Sequence, residues 1–80
     1  FLLIEVADRT LNSDRTSKAR IYAQAKIPEY WIVDVNVRQI YVLREPGEET
    51  YQQETIVGED AKLSPLAFPE IEVEVSQMFL

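Results

Sequence analysis

The sequence predicts an α/β domain, tending towards α+β, with one mixed β-sheet in which a βαβ crossover is followed by an antiparallel hairpin. Two observations support this prediction. Two apolar, strand-like segments are separated by a stretch with helical spacing, and parallel neighbouring strands need such a crossover connection. Two further strand-like segments then flank a Pro-Gly turn, which is typical of a hairpin.

The first strand is predicted over residues 1–7, where an apolar run is interrupted only by Glu5. A short apolar run of this kind suits a central strand that is buried on both faces. A chain that begins inside such a strand is expected to be the C-terminal portion of a larger domain. We therefore expect residues 1–80 to form a single partial domain whose upstream strands are absent.

A helix is predicted from Ser13 to about Ala25. Ser13 is a favourable N-cap residue, and Asp14 places a negative charge in the first turn. The helix is expected to end before Pro28, because the residue that precedes a proline disfavours the α conformation.

One face of this helix carries Asp14, Lys18 and Tyr22, which follow one another at intervals of four residues. An exposed ion pair between Asp14 and Lys18 is one interpretation, and such a pair contributes only ~0.3–0.5 kcal/mol. However, the same stripe includes Ile21 and Ala25. Lys18 and Tyr22 are therefore expected close to the face that packs on the sheet.

Three further strands are predicted at residues 30–34, 39–44 and 51–57, and the hairpin loop between the last two at residues 45–49. A half-exposed strand is predicted at residues 71–75 and a short terminal helix at residues 77–80. Tyr30 and Trp31 are interpreted as core residues, since strand aromatics normally serve packing. Asp34 ends its strand and is interpreted as a turn residue.

Composition limits the chemistry that the chain can perform. There is no cysteine and no histidine, which excludes a thiolate zinc site and the commonest general base. The remaining carboxylate, hydroxyl and phenol oxygens suit Mg²⁺, Mn²⁺ or Ca²⁺. The net charge of −6 argues against broad, phosphate-driven binding of nucleic acid by this segment, although a nuclease metal site itself needs carboxylates.

Glu5 is the most unusual residue of the first strand, because an ionisable group in a buried strand is costly unless it is paired or bound to a metal. Two interpretations stay open: a structural charge that is paired with a lysine or points outward, and a functional site. The helix of a βαβ unit packs across the sheet, so Lys18 is expected within reach of Glu5. A carboxylate with a nearby lysine is a common arrangement in metal-assisted phosphodiester cleavage.

Three segments also resemble one known family. They are Ile4-Glu5-Val6, the pattern that links Asp14, Lys18 and Tyr22, and the strand motif Glu29-Tyr30-Trp31-Ile32-Val33-Asp34. The chain is similar to a restriction-endonuclease-like family common in bacteria, notably cyanobacteria. That family was formerly a domain of unknown function and belongs to the PD-(D/E)XK nuclease superfamily. The resemblance implies a restriction-endonuclease-like fold.

The resemblance also implies roles for individual residues. Glu5 matches the acidic residue of the (D/E)XK half-motif, where it is a catalytic residue and a metal ligand. The usual lysine position is Ala7 here, and the lysine on the following helix matches Lys18 as the second catalytic residue. Asp14 and Tyr22 are implied as supporting residues. The first aspartate of the superfamily motif is expected upstream of Phe1.

Three functional hypotheses follow. The first is a DNA endonuclease that hydrolyses phosphodiester bonds with Mg²⁺ or Mn²⁺. The second is a catalytically inactive, nuclease-like interaction module, which the net charge of −6 favours. The third is a truncated remnant. DNA is the expected partner of an active protein, a homodimer through an exposed strand edge is a further expectation, and a cytoplasmic location without membrane association is expected.

Overall fold

The computed structural model describes residues 1–9 and 11–79 of the chain. The described residues form a four-stranded sheet in the order β1-β2-β3-β4, with β1 parallel to β2 and the other two pairs antiparallel. The predicted mixed sheet, with a βαβ unit followed by a hairpin, is therefore confirmed. The strand bounds are Leu2–Ala7 for β1, Glu29–Asp34 for β2, Gln39–Pro46 for β3 and Tyr51–Gly58 for β4.

Between β1 and β2 the chain forms helical segments that follow one another directly: α1 (Leu11–Ser13), a π-helical segment (Asp14–Lys18) and α2 (Ala19–Gln24). The predicted N-cap at Ser13 is wrong, because this residue has helical angles (φ −64°, ψ −41°) and no capping hydrogen bond from its side chain. Leu11 packs against the core, and this contact favours a helix that begins earlier. Within the described ranges, no helix is both long and apolar enough to span a lipid bilayer.

The other face of the sheet is covered by the C-terminal residues. These form a small two-stranded sheet of β5 (Lys62–Leu63) and β6 (Val73–Glu74), followed by a 3₁₀ helix at Val75–Phe79. The predicted half-exposed strand at residues 71–75 is thus reduced to two residues. The predicted terminal helix begins at Val75 rather than residue 77, and Leu80 lies outside the described residues.

The sheet therefore separates two hydrophobic clusters. The helix-side cluster lies beneath the helical segments, and the tail-side cluster lies beneath the C-terminal residues. The buried members of the helix-side cluster are Ala7, Ala19, Ala23, Tyr30, Ile32, Tyr41, Leu43 and Tyr51. Those of the tail-side cluster are Trp31, Val33, Ile40, Val42, Leu63 and Val75.

The contact face of the helix differs from the predicted one. Ala19 and Ala23 are buried, whereas Ile21 is 60% exposed and Ala25 is exposed. Small alanine side chains allow the helix to approach the sheet closely, and Ile21 lies on the exposed side of the helix. Tyr22 is half-buried against the helix-side cluster, as the pattern predicts.

The strand that is buried on both faces is β2 and not β1. Every residue of β2 is buried, because the strand pairs on both sides and is covered by both layers. In the part of the chain that the structure describes, β1 pairs only with β2, and Ile4 and Val6 on its tail side are 44% and 67% exposed. The predicted burial of β1 on both faces is thus not found among the described residues, in which β1 and its Glu5 lie at one side of the sheet.

Candidate active site

Glu5 projects from the middle of β1 towards the helical segments. The Tyr22 hydroxyl donates to Glu5 Oε1 at 3.0 Å, and the Tyr30 hydroxyl donates to Oε2 at 3.1 Å. The Lys18 ammonium lies 3.3 Å from the same Oε2. The structure therefore brings Glu5 together with Lys18 and Tyr22, which lie 13 and 17 residues further along the chain. The Glu5 side chain is 25% exposed, so solvent still reaches it.

Lys18 joins two carboxylates. Its Nζ lies 3.1 Å from Asp14 Oδ1, as well as 3.3 Å from Glu5. The predicted pair of Asp14 and Lys18 is confirmed, but it is not a surface pair, because the Asp14 side chain is only 1% exposed. Contact with the Asp14 carboxylate and then with Glu5 raises the pKa of Lys18 above its usual value. The ammonium therefore stays protonated at neutral pH.

The π-helical segment coincides with this cluster, since it begins at Asp14 and ends at Lys18. A π-helical turn is rare and is found frequently at functional sites. Asp14 is turned into the protein and Lys18 remains half-exposed, so of these two charges one is buried and the other is accessible. All four candidate residues, Glu5, Lys18, Asp14 and Tyr22, thus belong to one cluster, which we call the Glu5 cluster and to which Tyr30 also belongs.

The two tyrosines of the cluster support each other as well as Glu5. Their rings meet edge to face, with centroids 4.9 Å apart and planes 78° apart, a favourable geometry for aromatic pairs. Burial, followed by the hydrogen bond to Glu5, raises the pKa of Tyr22. Burial and the nearby charge of Glu5 also raise the pKa of Tyr30. Both phenols are therefore neutral donors that orient the carboxylate.

Tyr30 has a role that sequence reasoning missed. Its ring is fully buried, as predicted for a core residue, but its hydroxyl reaches Glu5 and lies 3.3 Å from the carbonyl oxygen of Asp14. The parallel register pairs Leu3 with Tyr30 and Glu5 with Ile32, which places Tyr30 on the face of Glu5. Because side chains alternate between the two faces of a strand, the position of Tyr30 beside Glu5 could have been predicted from the sequence only if the register between β1 and β2 were known.

A divalent cation finds one suitable ligand among these residues. A carboxylate has about four lone-pair sites, and three protein donors contact Glu5, which leaves room for one further partner on an accessible side chain. Asp14 is buried. Among residues 1–9 and 11–79, no three His, Cys, Asp or Glu side chains are grouped so that they could hold a metal ion. The described part of the cluster thus offers one oxygen donor, the Glu5 carboxylate, to which a cation could bind.

A second buried carboxylate, Glu29, lies on the opposite face of the sheet. Its Oε2 accepts from Trp31 Nε1 at 2.8 Å and from Arg44 Nε at 2.7 Å, and its Oε1 accepts from the backbone N–H of Leu66 at 2.8 Å. Arg44 also donates to the Ser64 carbonyl oxygen at 2.8 Å. This group, the Glu29 cluster, fixes the C-terminal residues to the sheet.

Comparison with known protein families identifies a match over most of the chain. The sequence profile of the Uma2 family, described as "Putative restriction endonuclease", matches residues 1–76. No curated protein and no solved structure matches the chain significantly. The matched range includes both clusters and all four predicted site residues.

Proposed function

The chain belongs to the Uma2 family of restriction-endonuclease-like proteins, and on this premise we propose that it forms part of a divalent-metal-dependent DNA endonuclease. The observation that carries the proposal is the contact of the half-exposed Lys18 ammonium with the Glu5 carboxylate at 3.3 Å. Both side chains are partly exposed, Lys18 at 42% and Glu5 at 25%. The reaction is hydrolysis of a phosphodiester bond, in which water attacks phosphorus and an alcohol oxygen leaves.

Glu5 is proposed as a metal ligand. Mg²⁺ typically keeps several waters and uses one or two carboxylates together with substrate phosphates, so a single accessible glutamate is a reasonable part of such a site. A bound Mg²⁺ or Mn²⁺ supplies polarisation of the phosphate and a water of lowered pKa. The hydroxyl groups of Tyr22 and Tyr30 hold Glu5 in place, and an acidic residue from an earlier strand is proposed as the second carboxylate.

Lys18 is proposed to stabilise the negative charge that develops on the phosphate oxygens. Its ammonium has three donors, of which Asp14 and Glu5 take two. The third is available to a substrate on the exposed side. Asp14 keeps the ammonium protonated and positioned, because its buried carboxylate contacts Nζ at 3.1 Å. Asp14 and Tyr22 therefore act as supporting residues.

A plasmid-nicking assay of the full-length protein with and without Mg²⁺ tests this function. Glu5→Ala and Lys18→Ala are each expected to lower the cleavage rate by about 10²–10³-fold, as when a transition-state donor is removed. Lys62→Ala and Glu72→Ala are matched controls, because these residues form an exposed pair at 3.9 Å on the tail side of the sheet. Wild-type cleavage by the Glu5 or Lys18 variant would exclude the role of that residue.

A catalytically inactive, nuclease-like interaction module is the second candidate. It is favoured by the protein's own partners of Glu5, since Lys18 already balances the negative charge and two tyrosine hydroxyl groups already donate to the carboxylate. In that case the wild-type protein would cleave no DNA with Mg²⁺ or Mn²⁺, while Glu5→Ala and Lys18→Ala would lower only the free energy of unfolding. Dimerisation and a cytoplasmic location stay predictions.

A further inference from the structure

The charges of the chain are distributed unevenly. Residues 11–26, which include the helical segments, carry four basic side chains and one acidic side chain, a net charge of +3, and the other residues carry −9. The one acidic residue is Asp14, whose side chain is buried. The helical layer therefore presents only positive charge to solvent, and the net charge of −6 conceals this surface.

A cleft of about 660 Å³ opens on this layer, between the helical segments and the loop that joins β3 to β4. It is lined by Arg15, Thr16, Ser17, Arg20 and Thr50. These five residues comprise two arginines, three hydroxyl side chains and no carboxylate. Arginine and hydroxyl donors are the groups that most often contact the phosphates of nucleic acids.

We propose that this cleft binds a backbone phosphate of the DNA substrate. This inference rests on the proposed function for the identity of the ligand, and it adds a contact surface separate from the Glu5 cluster. Lys18 and the cleft residues share one helical stretch, in which Lys18 contacts β1 and Arg15 contacts β4. A DNA strand that lies across the helical layer would thus contact both.

The two arginines have different parts in the cleft. Arg15 is fixed, because it donates to both carboxylate oxygens of Glu54, at 2.8 and 3.2 Å, and lies 4.6 Å from the centre of the Tyr41 ring. Arg20 is held only loosely by Glu49, at 3.7 Å, and the two side chains are 62% and 81% exposed. Arg20 is therefore the group that exchanges its carboxylate for a phosphate.

The hydroxyl groups also differ. The Thr16 hydroxyl donates to the carbonyl oxygen of Asn12 at 2.7 Å, so its proton is already used within the helix. Ser17 and Thr50 are exposed, and their hydroxyl groups can rotate to donate to an anion. Arg20 thus supplies the charge of the site, and Ser17 and Thr50 supply neutral donors.

The test measures binding of a labelled DNA duplex to the full-length protein by fluorescence anisotropy over a range of salt concentrations, in EDTA so that no metal-dependent cleavage occurs. Arg20→Gln should lower the magnitude of the negative slope of log K against log salt by about 1, as expected for one lost phosphate contact. Lys62→Gln is the matched control, because it removes the same charge from an exposed, loosely paired residue on the tail side. Its slope should equal that of the wild type.

A second pair of variants tests the sign of the effect. Glu49→Gln removes the carboxylate that competes with phosphate for Arg20, so it should tighten binding, whereas Glu72→Gln should leave binding unchanged. Equal effects of Arg20→Gln and Lys62→Gln, or no binding by the wild type, would overturn the proposal. If the protein cleaved no DNA but the four variants changed DNA binding as expected, the cleft would be supported as a phosphate-binding site and only the nuclease function would be contradicted.

Discussion

The negative charges of two glutamates on neighbouring strands are balanced in different environments. Glu5 on β1 and Glu29 on β2 each contact one cation and at least one aromatic donor. The side chain of Glu29 is only 2% exposed and that of Glu5 is 25% exposed. The cation also differs, since Arg44 is 24% exposed and Lys18 is 42% exposed.

Exposure and donor type separate a structural cluster from a candidate site. The donors of Glu29 include a backbone N–H and an indole, which are fixed by the fold. Glu5 is held by two phenols and an ammonium at the end of a flexible side chain. Glu29 is therefore expected to contribute mainly to stability, and Glu5 mainly to function.

The largest effect on the free energy of unfolding is expected for Glu29→Ala. This change leaves the buried side of Arg44, the indole N–H of Trp31 and the N–H of Leu66 without their acceptor. Breaking a buried ion pair in this way costs about 3–5 kcal/mol. Urea denaturation measures the loss, and Glu70→Ala, at an exposed position of the same C-terminal residues, should change stability by less than about 0.5 kcal/mol. A loss below about 1 kcal/mol for Glu29→Ala would contradict the structural assignment.

A smaller loss in the free energy of unfolding, about 2 kcal/mol, is expected for Glu5→Gln. The amide keeps the shape of the side chain and one acceptor oxygen, solvent reaches the position, and Asp14 continues to hold Lys18. Urea denaturation again provides the measurement. If this variant lost as much stability as Glu29→Ala, the distinction between the two clusters would be wrong.

Much of the fold was predictable because it depends on local patterns. The apolar runs of β1 and β2, the helical spacing between them and the Pro-Gly turn define the βαβ unit and the hairpin. The errors concern tertiary packing. Burial of β2 depends on two covering layers and two paired neighbours, which its own sequence does not encode. The contact face of the helix was missed because Ala19 and Ala23 are weak hydrophobic signals.

The candidate site was predictable where spacing along one element determines proximity. The pair of Asp14 and Lys18, with Tyr22 one turn further, follows from helix geometry, and contact with Glu5 follows from the crossover. The contacts of Tyr30 and Glu29 were harder to predict. Their roles depend on strand register and on partners more than ten residues distant, for which the sequence has no local pattern.

Tyr30→Phe is expected to lower the free energy of unfolding by about 1.5 kcal/mol, a typical value for the loss of a hydrogen bond to a charged group. The hydroxyl has one proton, which it donates to Glu5 in preference to the Asp14 carbonyl because a charged acceptor is stronger. Tyr22→Phe should cost less, since Tyr22 is only half-buried and water replaces its bond. Equal losses for the two variants in urea denaturation would show that burial of the donor is not decisive.

The smallest effect at neutral pH, about 1 kcal/mol, is expected for Tyr51→Phe, which removes a hydrogen bond of 2.7 Å to the Ile27 carbonyl oxygen. Burial raises the pKa of Tyr51 from 10.0 to about 12. Between these values the unfolded chain has released the phenol proton and the folded protein retains it, so stability falls as the pH rises. The hydrogen bonds of the Glu29 cluster involve no tyrosine hydroxyl.

Alkaline pH should therefore weaken the helix-side layer and spare the Glu29 cluster. Because Tyr51→Phe lacks the titrating phenol, its free energy of unfolding should decline less than that of the wild type from pH 10 to pH 12, and the initial deficit should shrink. Urea denaturation at several pH values measures this difference. A deficit that stays constant over the range would show that Tyr51 does not couple folding to pH, and the contrast between the two faces would then rest on exposure alone.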